Sequence, residues 1–333
     1  MSISAHAMMM IRQPLRHVDN ESLTLLVLFD VVFIFLDVLM NEFGSFKLFC
    51  YDKCLLHGLH PCVAVIKRSG TTREFDGVYP REPFVRTAQQ AADNLVTLVE
   101  VENDSVLRDL TRRSLLRNAG YEYLMTSSPD LRGIDVALLY QPFSFRPVCY
   151  DYLDVTPLED MRPTRDILYV QGETVGGDTL HVFVVHAPSR FGGEKVTRPN
   201  RRVVMERLIG AIQLLPPDAK VIVAGDFNDY ADSPSLLYLE EHALHNVTKG
   251  VVGSHGAQGT YRYEGRWESI DHILISPALL GFVEQVYIND APFLLEEDKK
   301  YGGLKPFRTY NGYRYQRGFS DHLPLVVRFL FKS

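Results

Sequence analysis

The sequence predicts an α/β domain in which helices cover the outer faces of two β-sheets. Short apolar runs rich in β-branched residues recur between residues 94 and 333, helical stretches separate several of them, and polar residues stand where the runs stop. LVTLV (95–99) reads as a buried strand. Asn103 or Asp104 suits the cap of a helix running to about Asn118, with Gly120 at its end. DVALLY (135–140) is a further strand, and DILYVQGE and TLHVFVVH flank a Val-Gly-Gly-Asp turn as a hairpin. Residues 199–214 read as a helix with Pro199 in its first turn. KVIVAGDFND is a strand that breaks at Gly225, and ESIDHILIS (268–276) and LPLVVRFLF (323–331) complete the set.

Composition narrows the function classes. With 333 residues the chain makes one large domain or two modest ones. Its 35 Lys and Arg against 41 Asp and Glu exclude a polybasic protein that binds by bulk positive charge. A hydrophobic share of 46% and a charged share of 23% exclude disordered, collagenous and coiled-coil chains. Four cysteines are too few for a disulfide scaffold of this length.

Residues 1–93 lack this regularity and read as an atypical N-terminal segment. Residues 23–40 are apolar apart from Thr24, Asp30 and Asp37. The apolar gain of about −7 kcal/mol is nearly cancelled by about +6 kcal/mol for the two acids, so a buried helix or strand pair is preferred to a membrane anchor. The stretch keeps localisation open between the cytoplasm, a membrane and export, and no A-x-A-like cleavage site ends it. Cys50, Cys54, His57, His60 and Cys62 follow, at a spacing that matches none of the common zinc patterns.

The polar strand ends carry the chemistry. Glu100, His186, Asp226, Asn228, Asp271 and the pair Asp321-His322 each stand at such an end. Strand ends on one sheet edge converge in space. Clustered carboxylates suit a hard divalent cation with oxygen ligands, Mg2+ or Mn2+, and histidines beside acids suit proton transfer. Singly, Asp226 and Asn228 also fit a plain turn, His186 a core histidine and Asp321 a cap. His272, next to Asp271, faces the other way by alternation.

The segments LVEVEN (98–103), VVHAPSR (184–190), GDFND (225–229), SIDHI (269–273) and FSDHLPLV (319–326) resemble, in order and placement, the endonuclease/exonuclease/phosphatase superfamily. The resemblance covers residues 94–333, read as the catalytic domain, and is similar to a bacterial subfamily. It implies a DNase-I-like, four-layered α/β sandwich of two packed, mostly antiparallel sheets flanked by helices. It also implies a divalent-metal-dependent phosphoester hydrolase using Mg2+ or Mn2+. By resemblance, Glu100 holds the metal with Asp321, Asp226 orients or deprotonates the attacking water, and Asn228 holds a phosphate oxygen. His186 contacts the phosphate, and Asp271 pairs with His322, which contacts the scissile group. The family's opening strand ends in an Asn; residues 1–93 hold no clear counterpart, Asn41 being the nearest.

Two basic islands bracket these motifs. Residues 190–202 carry Arg190, Lys195, Arg198, Arg201 and Arg202, and residues 299–317 interleave Lys and Arg with Tyr301, Phe307, Tyr310, Tyr313 and Tyr315. Such interleaving suits a phosphate backbone with stacked bases, though either island also reads as a solvated loop. Arg132, Arg165, Arg190 and Tyr310 are the candidate substrate-binding residues. The expected activity is an endonuclease or phosphodiesterase, with a phosphatase or phospholipid-type phosphodiesterase as the alternative. A catalytically weak binding protein follows if the first strand is absent. The expected partner is a phosphoester, nucleic acid included; no protein partner is implied, and membrane association stays open with residues 23–40.

Overall fold

The computed structural model describes residues 26–35, 46–51, 63–68 and 95–332, apart from residue 313. Strand β1 is Leu26–Phe35, β2 Phe46–Tyr51 and β3 Val63–Arg68, the last two forming a separate hairpin. Then come β4 (Leu95–Val101), α1 (Asp104–Arg108), β5 (Glu122–Met125), β6 (Asp135–Tyr140) and β7 (Phe145–Leu153). The hairpin of β8 (Ile167–Thr174) and β9 (Thr179–His186) leads to α2 (Glu194–Ile212), β10 (Lys220–Asp226), α3 (Pro234–Glu241) and β11 (His245–Asn246). A hairpin of β12 (Tyr261–Tyr263) and β13 (Arg266–Glu268) precedes β14 (Asp271–Ile275), α4 (Pro277–Leu280) and β15 (Val283–Ile288). Small hairpins of β16 (Leu295–Glu297) with β17 (Leu304–Pro306) and β18 (Tyr310–Asn311) with β19 (Arg314–Tyr315) lead to β20 (Leu325–Lys332).

Two six-stranded sheets form the body, ordered β15-β20-β1-β4-β6-β5 and β11-β14-β10-β9-β8-β7. Strand alternation divides the apolar residues into three layers of core. Between the sheets lie Leu95 and Val99 of β4, Val182 and Val184 of β9, Ile222 and Ala224 of β10, and Ile273 and Ile275 of β14. The opposite faces of β4 and β6 bury Val96, Leu98 and Leu139 against Val106, Leu107 and Leu110. Those of β9, β10 and β14 bury Phe183, Val223 and Leu274 against Val204, Met205 and Leu208 of α2 and Leu236 and Leu239 of α3. Helix, sheet, sheet, helix is the four-layered sandwich the sequence predicts.

Three elements differ from the sequence reading. Residues 26–35 form one strand rather than a helix or a strand pair. It lies antiparallel to β20 and parallel to β4, which completes the first sheet, and its register sets Asp30 opposite Arg328. Asn41 and most of the Cys/His run after residue 50 lie outside the described residues. Among those described, no helix is long and apolar enough to cross a membrane.

The helix expected to reach Asn118 keeps its Asn103 cap but ends as an α-helix at Arg108, widens into a π-turn over Asp109–Arg113 and tightens into a 3-10 turn over Leu115–Asn118. Thr111 Oγ1 donates to the Leu107 carbonyl at 2.8 Å and Ser114 Oγ to that of Leu110. Hydroxyls that bond the i−4 carbonyl compete with the backbone amide and open a helix. Helix α2 begins at Glu194, so Pro199 sits inside it. Its buried side Arg201, Val204, Met205, Leu208 and Ile209 follows the helical period and holds it on the sheet.

Candidate active site

The inward rows of three adjacent strands end in polar residues. On β9 the row Val182, Val184 continues to His186; on β10 Ile222, Ala224 leads to Asp226; on β14 Asp271 precedes Ile273 and Ile275. The register pairs Asp226 with His186 on one side and with Asp271 on the other. The three side chains therefore stand abreast on one face at one sheet edge. Gly225 makes this close approach possible: at φ 157°, a Cβ there would lie 1.8 Å from the Val185 carbonyl oxygen. Gly225→Ala is expected to cost at least about 3 kcal/mol, because backbone must move, seen as a lower guanidinium midpoint.

The first sheet supplies Glu100 and the Asp321-His322 pair. Along β4 the ladder shifts register between Val99 and Val101, and Glu100 takes φ 58°. This bulge sends Val101 into the outer core and turns Glu100 toward the cleft, out of strict alternation. Strained backbone at a polar strand end is the kind held for function. Asn228 also has positive φ, at 50°.

His322 Nδ1 lies 2.8 Å from Asp271 Oδ2, and His186 Nε2 lies 3.7 Å from Asp226 Oδ2. All four side chains are buried. Burial opposes charge on His322, but the carboxylates of Asp271, Asp321 and Asp226 overcome it and raise its pKa to about 10. Burial, with the positive charges of Arg165, Arg132 and His322 nearby, holds His186 well below the usual histidine value. One histidine is thus charged and the other neutral at pH 7. Burial, reinforced by Asp271, pushes Asp226 up. Burial also pushes Glu100 up to about 7, with Arg132 opposing and Asp321 adding.

The site's polar atoms fit a divalent cation. Among the described residues, Asp271 Oδ1 and Asp321 Oδ1 are buried without a hydrogen-bond partner. Atoms of Asp226, Asp271 and His322 all lie within 4.8 Å of one another. His322 Nδ1 is engaged by Asp271, so these three read as a charge network, and Asp321 and Glu100, the latter with Arg132 3.4 Å from its Oε1, add further carboxylate oxygens beside it. An oxygen-rich donor set suits a hard cation.

The remaining predicted residues have varied roles. Asn228 Nδ2 donates to the Ala187 carbonyl at 3.1 Å and to Asp226 Oδ2 at 3.0 Å, and its backbone N–H donates to Asp226 Oδ1 at 2.7 Å. In this arrangement it orients the Asp226 carboxylate. Arg132 reaches Glu100 Oε1 from 3.4 Å at the rim. Arg165 is buried, donating to Asp130 Oδ2 at 2.8 Å and to the carbonyls of His186 and Ala187 at 3.2 and 2.8 Å. Its guanidinium fixes the turn after His186 while its charge acts on both Glu100 and His186. Arg190 pairs with Glu268 and stacks over the Tyr230 ring at 4.5 Å. Tyr310 packs on Tyr315, with ring centroids 5.4 Å apart. His272 points away from the cleft, as alternation predicts, with Nε2 3.0 Å from the Asp229 carbonyl oxygen.

The first basic island is mostly spent on the fold. Arg198 pairs with Glu194, Arg202 with Glu206, and Arg201 lies buried against Asp229 at 2.9 Å. The second contributes Arg308, 3.6 Å from Asp321, beside Tyr261, whose ring lies 4.7 Å from that of His322. Neither Arg308 nor Tyr261 has a spacing that marks it in the sequence; only the island's charge points to Arg308.

The profile of the endonuclease/exonuclease/phosphatase family matches residues 84–330. No curated protein matches the sequence. A Bacteroides thetaiotaomicron endonuclease/exonuclease/phosphatase family protein has a similar structure at 14% identity, with 92% of this chain and 98% of that chain covered and a TM-score of 0.55. Humanized D. rerio TDP2 is similar at 14% identity over 91% of this chain and 98% of its own, with a TM-score of 0.53. The mannosyl-6-phosphatase of Bacteroides thetaiotaomicron is similar at 17% identity over 74% and 88%, also with a TM-score of 0.53. At these identities the likenesses show the fold. The profile match spans most of the chain and takes in every motif at the cleft, and the chain accordingly belongs to the endonuclease/exonuclease/phosphatase family of divalent-metal-dependent phosphoester hydrolases.

Proposed function

We propose that the protein is an endonuclease or phosphodiesterase that cleaves by attack of water on a phosphodiester, with Mg2+ or Mn2+ held by Glu100 and Asp321. The observation that carries this reading is the meeting of two buried histidines with two buried carboxylates at one sheet edge. His322 is held by Asp271 at 2.8 Å, and His186 stands 3.7 Å from Asp226. Asp226, braced by Asn228, takes the proton of the attacking water. His322, cationic below about pH 10, stabilises charge on the nonbridging oxygens, and neutral His186 donates a hydrogen bond to the phosphate. Glu100 and Asp321 would hold a divalent cation, which when bound would supply Lewis-acid stabilisation of the developing negative charge.

Arg190, fixed over Tyr230 and against Glu268, and Tyr310 of the 299–317 segment support a nucleic acid chain as substrate. The test is hydrolysis of plasmid DNA, RNA, bis-p-nitrophenyl phosphate and p-nitrophenyl phosphate with Mg2+ or with EDTA. Diester cleavage that EDTA abolishes and Asp226→Ala removes is expected. Activity on the monoester alone favours the phosphatase alternative, and EDTA-insensitive turnover overturns the mechanism.

A further inference from the structure

Two arginines of the rim stand against the carboxylates assigned to the cation. Arg132 Nη1 is 3.4 Å from Glu100 Oε1, and Arg308 Nη2 is 3.6 Å from Asp321 Oδ2. Both exceed the roughly 2.7–2.9 Å of a charge-assisted hydrogen bond. Their side chains are 46% and 27% exposed. The structural arginines differ on both counts: Arg165 is 2.8 Å from Asp130 with 5% exposure, and Arg201 is 2.9 Å from Asp229 with none. Arg132 and Arg308 are therefore held loosely at the cleft mouth, while Arg165 and Arg201 are fixed within the fold.

Each loose arginine has a second partner. Arg132 Nε lies 3.5 Å from Asp130 Oδ1, a carboxylate oxygen that also accepts the Arg132 backbone N–H at 2.8 Å. Arg308 lies beside Tyr261, whose ring is 4.7 Å from that of His322. Arg308 does not saturate its carboxylate, for among the described residues Asp321 Oδ1 has no hydrogen-bond partner. A divalent cation takes carboxylate oxygens more strongly than a half-exposed guanidinium does, and repels that guanidinium once bound. Released at the rim, a planar fork of N–H donors matches the oxygens of a phosphate.

We propose that Arg132 and Arg308 compete with the divalent cation for Glu100 and Asp321 and pass to the substrate's phosphate oxygens when the cation binds, so that cation and substrate bind with positive coupling. The proposal rests on the metal assignment made under the proposed function. Linkage makes the coupling reciprocal: phosphate must tighten the cation by the factor by which the cation tightens phosphate.

Calorimetric titration of the full chain with Mg2+, with and without inorganic phosphate, tests it. Arg132→Gln and Arg308→Gln are each expected to bind Mg2+ more tightly than the wild type, by up to about fivefold, the scale of a partly exposed ion pair. Arg308→Lys keeps the competing charge and is expected to stay near the wild-type affinity. Phosphate is expected to bind the wild type more tightly with Mg2+ than without, and the double Gln variant is expected to lose most of that gain. Tightening separates the proposal from fold damage, which weakens binding. Unchanged or weaker Mg2+ affinity in both single variants overturns it, as does phosphate binding indifferent to Mg2+ in the wild type. Absence of Mg2+ binding in the wild type, or binding untouched by Glu100→Gln, refutes the metal assignment instead.

Discussion

Replacing His322 by alanine is expected to lower kcat for a phosphodiester by between about a hundredfold and ten-thousandfold, with KM moved far less. The side chain is buried and locked to Asp271 at 2.8 Å, so its geometry is set before substrate arrives. Asp271, Asp321 and Asp226 keep it protonated to about pH 10 despite burial. The alkaline limb of kcat/KM then lies near that value, and Asp271→Asn, which removes the largest favourable partner, moves the limb toward neutrality. The raised pKa also sets the sign of the stability effect. The contribution of the pair is complete below about pH 6.5, the ordinary histidine value, and is lost as pH rises through about 10. A steady-state profile of the wild type and both variants between pH 6 and 11 measures the limb. An unmoved limb in Asp271→Asn, or a His322→Ala enzyme of near-normal kcat, removes the imidazolium from the mechanism.

Strand periodicity explains why so much of this site is legible in the sequence. His186, Asp226 and Asp271 each extend an apolar every-second-residue row, so the pattern that identifies the strand also places the side chain on the inner face. The same rule sends His272 outward. Glu100 is legible as a strand end, but its direction is not: alternation from Leu98 points it away from the cleft, and a bulge with positive φ reverses it. The broken helix after Asn103 is obscured for a related reason, because the competing bonds of Thr111 and Ser114 arise only in the folded chain. Strand β1 escaped the hydropathy of residues 23–40, which is equally apolar for helix and strand; the pairing with β4 and β20 decides between them. Basic charge is the least legible feature. In residues 190–202, Arg190 stands at the rim whereas Arg201 is wholly buried, and nothing in their spacing distinguishes them.

That buried arginine carries the largest expected stability effect. Arg201 Nε donates to Asp229 Oδ2 at 2.9 Å, its Nη1 to Thr197 Oγ1 at 2.8 Å, and its Nη2 to the Glu194 carbonyl at 3.2 Å. The guanidinium thereby ties the first turns of α2 to the turn that carries Asp226 and Asn228. Arg201→Ala leaves the Asp229 carboxylate buried without its partner, and breaking a buried pair in this way costs about 3–5 kcal/mol. A fall of roughly 10 °C in the thermal midpoint is expected, with a matching fall in the denaturant midpoint. Arg201→Met combined with Asp229→Leu removes both charges at similar volume and is expected to recover most of that loss, because the cost lies in the stranded charge rather than in a missing attraction. Activity is expected to part company with stability in this cycle. The double variant regains the fold, but Asp229 no longer anchors the turn, so kcat stays depressed while the midpoint recovers. If the double variant recovers both, the buried pair serves only the fold; if it recovers neither, the stability of α2 depends on the Thr197 and Glu194 bonds of Arg201 and not on neutralising Asp229.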